Sequence, residues 1–170
     1  GLGLAFALLA IGTDALAAGK TLYFGMSGEP STLEPNVNAG TPARTIRLAL
    51  HRGLVNYGAD GKLSNELAAS YAIAEDGKTY TFKLREAKFH DGTPVTAEDV
   101  KATFERILAA DSKATYKGDL SVIASIAAPD GKTVVFTLSR PFAPFIHYLA
   151  LPESAVLSKA WIAAVAANPN

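Results

Sequence analysis

Cysteine is absent from the 170 residues. Its absence excludes disulfides, thiolate metal sites, thiol catalysis and a lipid anchor on an N-terminal cysteine. Neither sign of charge dominates, since 16 Lys and Arg residues balance 16 Asp and Glu residues. A neutral chain without a basic block argues against nucleic acid or an anionic membrane surface as the main partner. Hydrophobic residues make up 49% of the chain, which predicts a folded globular protein.

Motifs for catalysis and metal binding are also missing. The three histidines are His51, His90 and His147. They are far apart in the sequence and lack the spacing of a metal site. Gly25 to Gly28 does not match the G-x-S-x-G nucleophile motif, and no glycine-rich phosphate loop occurs. Glu29 and Glu34 lie next to prolines in a predicted loop, which favours solvated or capping roles over a catalytic carboxylate pair. We therefore predict no enzyme, no cofactor and no metal site.

The first residues are typical of an export signal. Leu2 to Ile11 is an apolar run that is too short to span a bilayer comfortably, and Ala15-Leu16-Ala17 suits a signal peptidase. We expect residues 1–18 to be a signal peptide and the mature chain to work in the periplasm. A short buried helix is the alternative interpretation.

Residues 79–100 carry the sharpest structural signals. Apolar side chains alternate with polar ones at the start, as in a half-buried strand: Tyr80, Phe82 and Leu84. Asp91-Gly92 then predicts a tight turn. Thr96 stands three residues before Asp99, which is typical of a capping box that opens a helix.

The remaining chain supplies further short elements. Asp-Gly turns at 76–77 and 130–131 each join two apolar runs, which predicts two hairpins in one mostly antiparallel sheet. Val100, Phe104, Ile107 and Leu108 share one face of a predicted helix over 97–109. The other predicted elements are a strand at 21–26, an extended irregular segment at 30–42, a helix at 44–52, a strand at 54–57, a helix after Pro144 and a helix start from 159. The fold class is therefore α+β.

Seven separated motifs occur in an order typical of one protein family. They are Leu33-Glu34-Pro35, Leu54-Val55, Asp60-Gly61, Glu66-Leu67-Ala68 with Ser70, Asp76 to Arg85, Phe89 to Val100, and Pro141-Phe142 with Leu157-Ser158. Through them the chain resembles the N-terminal part of the extracytoplasmic solute-binding proteins of family 5, which serve peptide and nickel ABC importers. The resemblance covers about residues 20–161, although Glu34 replaces the commoner Asp of the L-D-P motif.

The resemblance implies part of a two-lobed periplasmic binding protein of class II. Residues 19–52 would form the first segment of the ligand-binding lobe, 53–158 an inserted small α+β domain, and 159–170 a truncated return to the lobe. The implied function is a periplasmic receptor that binds a peptide or peptide-like solute and delivers it to an ABC permease in the inner membrane. We expect such a receptor to be a monomer.

The resemblance also points to ligand contacts. The segment after L-[DE]-P borders the ligand cleft in the family, which maps to Asn38, Ala39, Gly40, Thr41, Pro42 and Ala43. If this segment is extended, a peptide could pair with it as a strand does; a plain surface loop is the alternative. Tyr116 is a second candidate contact, with a packing role as the alternative.

Other functions remain open on the sequence alone. The same fold could bind a nickel chelate or an oligosaccharide, or serve a secreted chaperone-like interaction protein. A periplasmic hydrolase is a further alternative, but no catalytic motif supports it.

Overall fold

The structure, a computed structural model, describes residues 25, 28–30, 32–37 and 40–167. The predicted signal peptide and ligand contacts Asn38 and Ala39 lie outside these residues, as does nearly all of the predicted strand at 21–26. Within the described part of the chain, no helix is long and apolar enough to cross a bilayer.

The elements form two antiparallel sheets with helices around them. A two-stranded sheet joins β1 (Val55–Tyr57) and β2 (Leu63–Asn65). The main sheet has the order β3-β4-β6-β5, from β3 (Ala68–Ile73), β4 (Thr79–Leu84), β5 (Ile123–Asp130) and β6 (Thr133–Leu138). The helices are α1 (Gly40–Leu50), α2 (Ala97–Leu108), α3 (Lys117–Leu120), α4 (Phe145–Leu149) and α5 (Lys159–Ala167), with a short 3-10 helix at Pro152–Ser154. The predicted α+β class, both hairpins and their common antiparallel sheet are confirmed.

Each Asp-Gly turn is closed by the aspartate itself. In all four, the Asp carboxylate accepts the backbone N–H of the residue two positions later, at 2.8–3.1 Å. The four turns are Asp60-Gly61, Asp76-Gly77, Asp91-Gly92 and Asp130-Gly131. This is the Asx-turn geometry that favours aspartate in turns, and at the three turns that join strands it helps to fix their register.

Helix α2 starts and packs as its sequence predicts. The Asp99 carboxylate accepts hydrogen bonds from the backbone N–H and the hydroxyl of Thr96, at 2.8 and 2.7 Å. Val100, Phe104 and Ile107 are buried, whereas Leu108 is only partly buried. The capped helix therefore presents its apolar stripe to the main sheet.

Aromatic rings form the centre of the core between the sheet and the helices. The ring of Phe136 on β6 lies 5.1 Å from Phe104 on α2, 5.8 Å from Phe82 on β4 and 5.5 Å from Phe145 on α4, measured between centroids. All four residues are fully buried. Edge-to-face pairs of this kind stabilise by about 0.5–1.5 kcal/mol beyond the burial of their area. One cluster of rings thus ties the sheet to two helices.

Candidate functional site

The first turn of α1 contains four of the predicted ligand contacts, Gly40, Thr41, Pro42 and Ala43. The expectation of an extended segment is wrong for these residues, because α1 begins at Gly40, four residues before the predicted start. Pro42 is compatible with the first helical turn, where its missing N–H would have no partner inside the helix. Gly40 has a φ of +73°, a conformation that favours glycine. A helical turn cannot pair with a peptide as a strand does, so any contact here would take another form.

Arg47 anchors α1 from its buried side. The residue is 1% exposed, and Ala43 is buried one turn before it. Its guanidinium donates to the carbonyl of Val37 at 2.6 Å, and to those of Pro35 and Thr32 at 3.4 Å. Burial lowers the pKa of Arg47, while the nearby carboxylates of Glu153 and Glu34 oppose that shift. The contacts tie α1 to the segment that precedes it.

The L-[DE]-P motif leads into a second set of contacts, with α2. Glu34 Oε1 pairs with the Arg106 guanidinium at 2.7 Å, and the same nitrogen donates to Asn36 Oδ1 at 2.9 Å. Asn36 is 2% exposed, and its amide donates to the Glu153 carbonyl at 2.8 Å. The expectation of a solvated or capping role for the Glu34 side chain is therefore wrong, because its carboxylate reaches across to α2.

A recess of about 470 Å³ lies beside α1 and β1. Its basic side chains already have partners: Arg52 pairs with Glu66 at 3.1 Å, and Arg44 lies 3.7 Å from the buried Glu153. Burial lowers the pKa of His51, and the neighbouring His90 and Arg47 lower it further, while Glu34 opposes that shift. The recess therefore offers less free positive charge than its residue types suggest.

Tyr116 lies at the N-terminal end of α3 and is partly buried. Its ring centroid is 5.6 Å from that of Tyr148 in an edge-on arrangement. The Tyr148 hydroxyl donates to the Asp119 carboxylate at 2.8 Å, a hydrogen bond that raises the pKa of Tyr148. These contacts give Tyr116 a packing role; ligand binding by Tyr116 stays a prediction.

Among the described residues, no group of three or more His, Asp or Glu side chains converges in a way that could hold a metal ion.

Sequence reasoning missed four residues that make polar contacts between distant parts of the chain: Asn36, Arg47, Arg106 and Glu153. An arginine in a helix is usually exposed, and the partners of Arg47 are backbone carbonyls 10 to 15 positions earlier. Side-chain patterns carry no signal for carbonyl acceptors. The one available signal was the spacing of Arg47 from Ala43, which puts both on one face of α1.

Comparison with known proteins identifies the fold. The family model for bacterial extracellular solute-binding proteins, family 5 middle region, matches residues 62–169. The chain belongs to this family. It is 40% identical over 147 residues to the probable D,D-dipeptide-binding periplasmic protein DdpA of Escherichia coli K12, covering 82% of this chain and 28% of the relative. It is 37% identical over 163 residues to the glutathione-binding protein GsiB of the same strain, covering 94% of this chain and 31% of the relative.

Solved structures of periplasmic binding proteins match as well. AgaA of A. tumefaciens R10, in complex with agropinic acid, is 59% identical with a TM-score of 0.86, covering 89% of this chain and 31% of that one. DppA of Helicobacter pylori, in complex with the peptide STSA, is 26% identical with a TM-score of 0.71, covering 82% of this chain and 31% of that one. The chain thus spans about a third of the length of the proteins it matches.

Proposed function

We propose that this chain is part of a periplasmic receptor that binds a small solute and delivers it to an ABC permease in the inner membrane. The observation that carries the proposal is its membership of family 5, with relatives that are described as periplasmic or solute-binding proteins. On this proposal the receptor is exported by the signal peptide at residues 1–18, acts as a monomer and performs no catalysis.

The proposed organisation follows the sequence prediction. Residues 19–52 are the first segment of the ligand-binding lobe, 53–158 the inserted domain and 159–170 the return to the lobe. The solute binds between this lobe and a second one, and the two lobes close around it by a hinge motion. Residues 38–43 border the cleft.

The first candidate solute is a peptide or peptide-like molecule. It is supported by the dipeptide-binding and glutathione-binding relatives, which are 37–40% identical to this chain.

The second candidate is an opine-like acid such as agropinic acid. It is favoured by the 59% identity to AgaA, which exceeds the identity to both peptide-binding relatives. Mannopinic acid bound to MoaA of the same strain, at 26% identity, belongs to the same class of solute.

Thermal unfolding of the receptor in its full length, with three probes, tests both candidates. The probes are agropinic acid, glutathione and D-alanyl-D-alanine. A solute at 100 times its Kd adds about 2.7 kcal/mol to the free energy of unfolding, which raises the Tm by several degrees. Stabilisation by agropinic acid alone would select the opine-like class, and stabilisation by either peptide would select the other. If none of the three shifts the Tm, neither candidate solute class stands.

A further inference from the structure

Four side chains meet where the segment 32–37, α1 and α2 come together: Glu34, Asn36, Arg47 and Arg106. We call them the junction network. Arg47 holds the segment from the α1 side through three carbonyls, and Arg106 holds it from the α2 side through Glu34 and Asn36. The segment is therefore fixed between two helices by polar contacts.

The burial of the junction network separates it from ordinary surface ion pairs. Exposed pairs contribute little because water and salt screen them. Here Arg47 and Asn36 are 1% and 2% exposed, and the side chains of Arg106 and Glu34 are 28% and 20% exposed. Removing one partner leaves buried polar groups without hydrogen bonds, so the contacts resist rearrangement.

One polar atom of the junction network and one of the neighbouring Glu153 are left unsatisfied. Arg47 Nε and Glu153 Oε2 are buried without a hydrogen-bond partner. Unpaired buried groups are uncommon in folded proteins and call for a reason. An apolar residue at position 47 would avoid the cost, but it could not hold the carbonyls of Pro35 and Val37.

Arg106 contacts both stretches predicted to belong to the ligand-binding lobe. It pairs with Glu34 of the first stretch, and its guanidinium lies 5.7 Å from the ring centroid of Trp161 on α5, in the second. Arg106 itself lies on α2, within the predicted inserted domain. One side chain thus connects the inserted domain to the lobe at two points.

We propose that the junction network positions the first turn of α1 for solute binding, with Arg106 as the positioning residue on α2. Arg47 and the first turn, 40–43, belong to one continuous helix, so a shift of the segment at Arg47 moves the turn with it. The inference rests on the proposed function, because it assumes that this turn borders the solute. The acidic residue of the L-[DE]-P motif then has a structural role, because the Glu34 carboxylate holds the segment 32–37 against α2.

The test compares two variants on α2 in the full-length receptor. Arg106→Met removes the charge and keeps much of the side-chain length. Lys101→Met makes the same kind of change at a cation on the same helix whose partner is Glu105, 4.0 Å away, and which is not a member of the junction network. Hydrogen exchange of the α1 amides, followed by mass spectrometry, is measured without any solute. We expect exchange about tenfold faster in Arg106→Met and unchanged in Lys101→Met.

Solute affinity gives the second readout, with agropinic acid as the probe and calorimetry as the method. We expect Arg106→Met to weaken the Kd about tenfold and Arg106→Lys to restore part of the loss, because lysine keeps the pair with Glu34 but lacks the planar fork. Phe104→Leu serves as a control that lowers stability through the core. A Kd loss in Phe104→Leu equal to that in Arg106→Met would reduce Arg106 to a structural role and overturn the inference.

The two proposals fail in different ways. If the wild-type receptor binds neither agropinic acid nor the peptides, the proposed solute classes fail, and the exchange experiment still decides whether the junction network holds α1. If the wild type binds and Arg106→Met matches it within about twofold in exchange and in Kd, the positioning role fails alone.

Discussion

Phe136 contacts three other aromatic rings, and each ring comes from a different element. Phe104 is the one that α2 contributes, and none of its surface is exposed.

Truncation of this ring tests the importance of the α2 stripe. Phe104→Ala should lower the free energy of unfolding by about 3–5 kcal/mol, because it removes buried apolar area and leaves a cavity. Urea unfolding measures the loss. Leu48→Ala, at a side chain that is 59% exposed, is the control and should change stability by less than about 0.5 kcal/mol. A loss below about 1 kcal/mol for Phe104→Ala would show that the stripe contributes little.

Residue by residue, the sequence predicts buried apolar positions well and buried polar ones poorly. Tyr80, Phe82 and Leu84 are buried as their alternation predicts. Arg47 is as buried as they are, yet a charged side chain is normally assigned to the surface. Its burial depends on acceptors from a segment that local patterns do not place beside it.

At the scale of elements, Asp99 joins two helices. One carboxylate oxygen caps α2 through Thr96, and the other accepts the backbone N–H of Lys159 at 2.8 Å. That N–H belongs to the first residue of α5. A capping box predicted from local sequence thus also fixes where a distant helix begins.

Substitutions at the two ends of this cap separate its roles. Thr96→Ala should lower the free energy of unfolding by about 0.5–2 kcal/mol, which is the usual effect of losing an N-cap side chain. Asp99→Ala should lower the free energy of unfolding by about 1–3 kcal/mol more than Thr96→Ala does, because it also leaves the backbone N–H of Lys159 unpaired. Urea unfolding gives both values, and hydrogen exchange in α5 should accelerate only in Asp99→Ala. Equal losses in the two variants would mean that the contact with α5 is negligible.

The turn aspartates predict how stability depends on pH. The pKa of Asp76 is lowered chiefly by the backbone N–H of Lys78. The pKa of Asp130 is lowered chiefly by the hydroxyl of Thr133. A carboxyl group whose pKa is lower in the folded state stabilises the fold above its unfolded pKa, near 3.9, and loses that contribution as the pH falls through the folded value.

We therefore expect the Tm to decline as the pH is lowered below about 4, and to be nearly flat above about 5 as far as these groups are concerned. Asp130→Ala should lower the Tm at pH 7 and make the decline in acid shallower. Asp111→Ala, at an exposed carboxylate after α2, is the matched control. If the Tm of Asp130→Ala fell as steeply in acid as that of the wild type, Asp130 would not contribute to the pH dependence of stability.

Element prediction succeeded where short-range chemistry determines structure. The Asp-Gly turns and the Thr96 cap are decided within a few residues, so their strands and helix follow from the sequence. The start of α1 was misplaced because Gly40 and Pro42 were interpreted as breaking a helix. Pro42 is nevertheless compatible with a first helical turn, and Gly40 takes a positive φ at the point where the helix begins.

At the scale of the whole molecule, the described part of the chain combines a well-packed core with the segment 32–37 and helix α1, which polar contacts attach. α1 has its buried face on Ala43 and Arg47, whereas Leu48 and Leu50 are exposed. The candidate solute contacts therefore lie on a helix with little apolar support. This is consistent with a receptor in which the binding edge moves relative to the core.

The proposed receptor needs both lobes to hold a solute. Residues 1–170 on their own should bind agropinic acid at least about 100-fold more weakly than the full-length receptor, since half of the closing contacts are missing. Calorimetry on both proteins, after circular dichroism has shown the shorter one to be folded, measures the ratio. A sub-micromolar Kd for residues 1–170 would contradict the two-lobed mechanism.

The Asp-Gly turns also bear on how this protein ages. In an unfolded chain the glycine amide nitrogen can attack the side-chain carboxyl carbon of the preceding aspartate, and the cyclic imide then opens to isoaspartate. In the fold, each of the four carboxylates is held by the backbone N–H two residues later, away from that attack. A molecule kept unfolded would accumulate isoaspartate at these Asp-Gly bonds, which lie at the turns that the chain must form again when it refolds. Folding thus preserves the covalent chain that makes refolding possible.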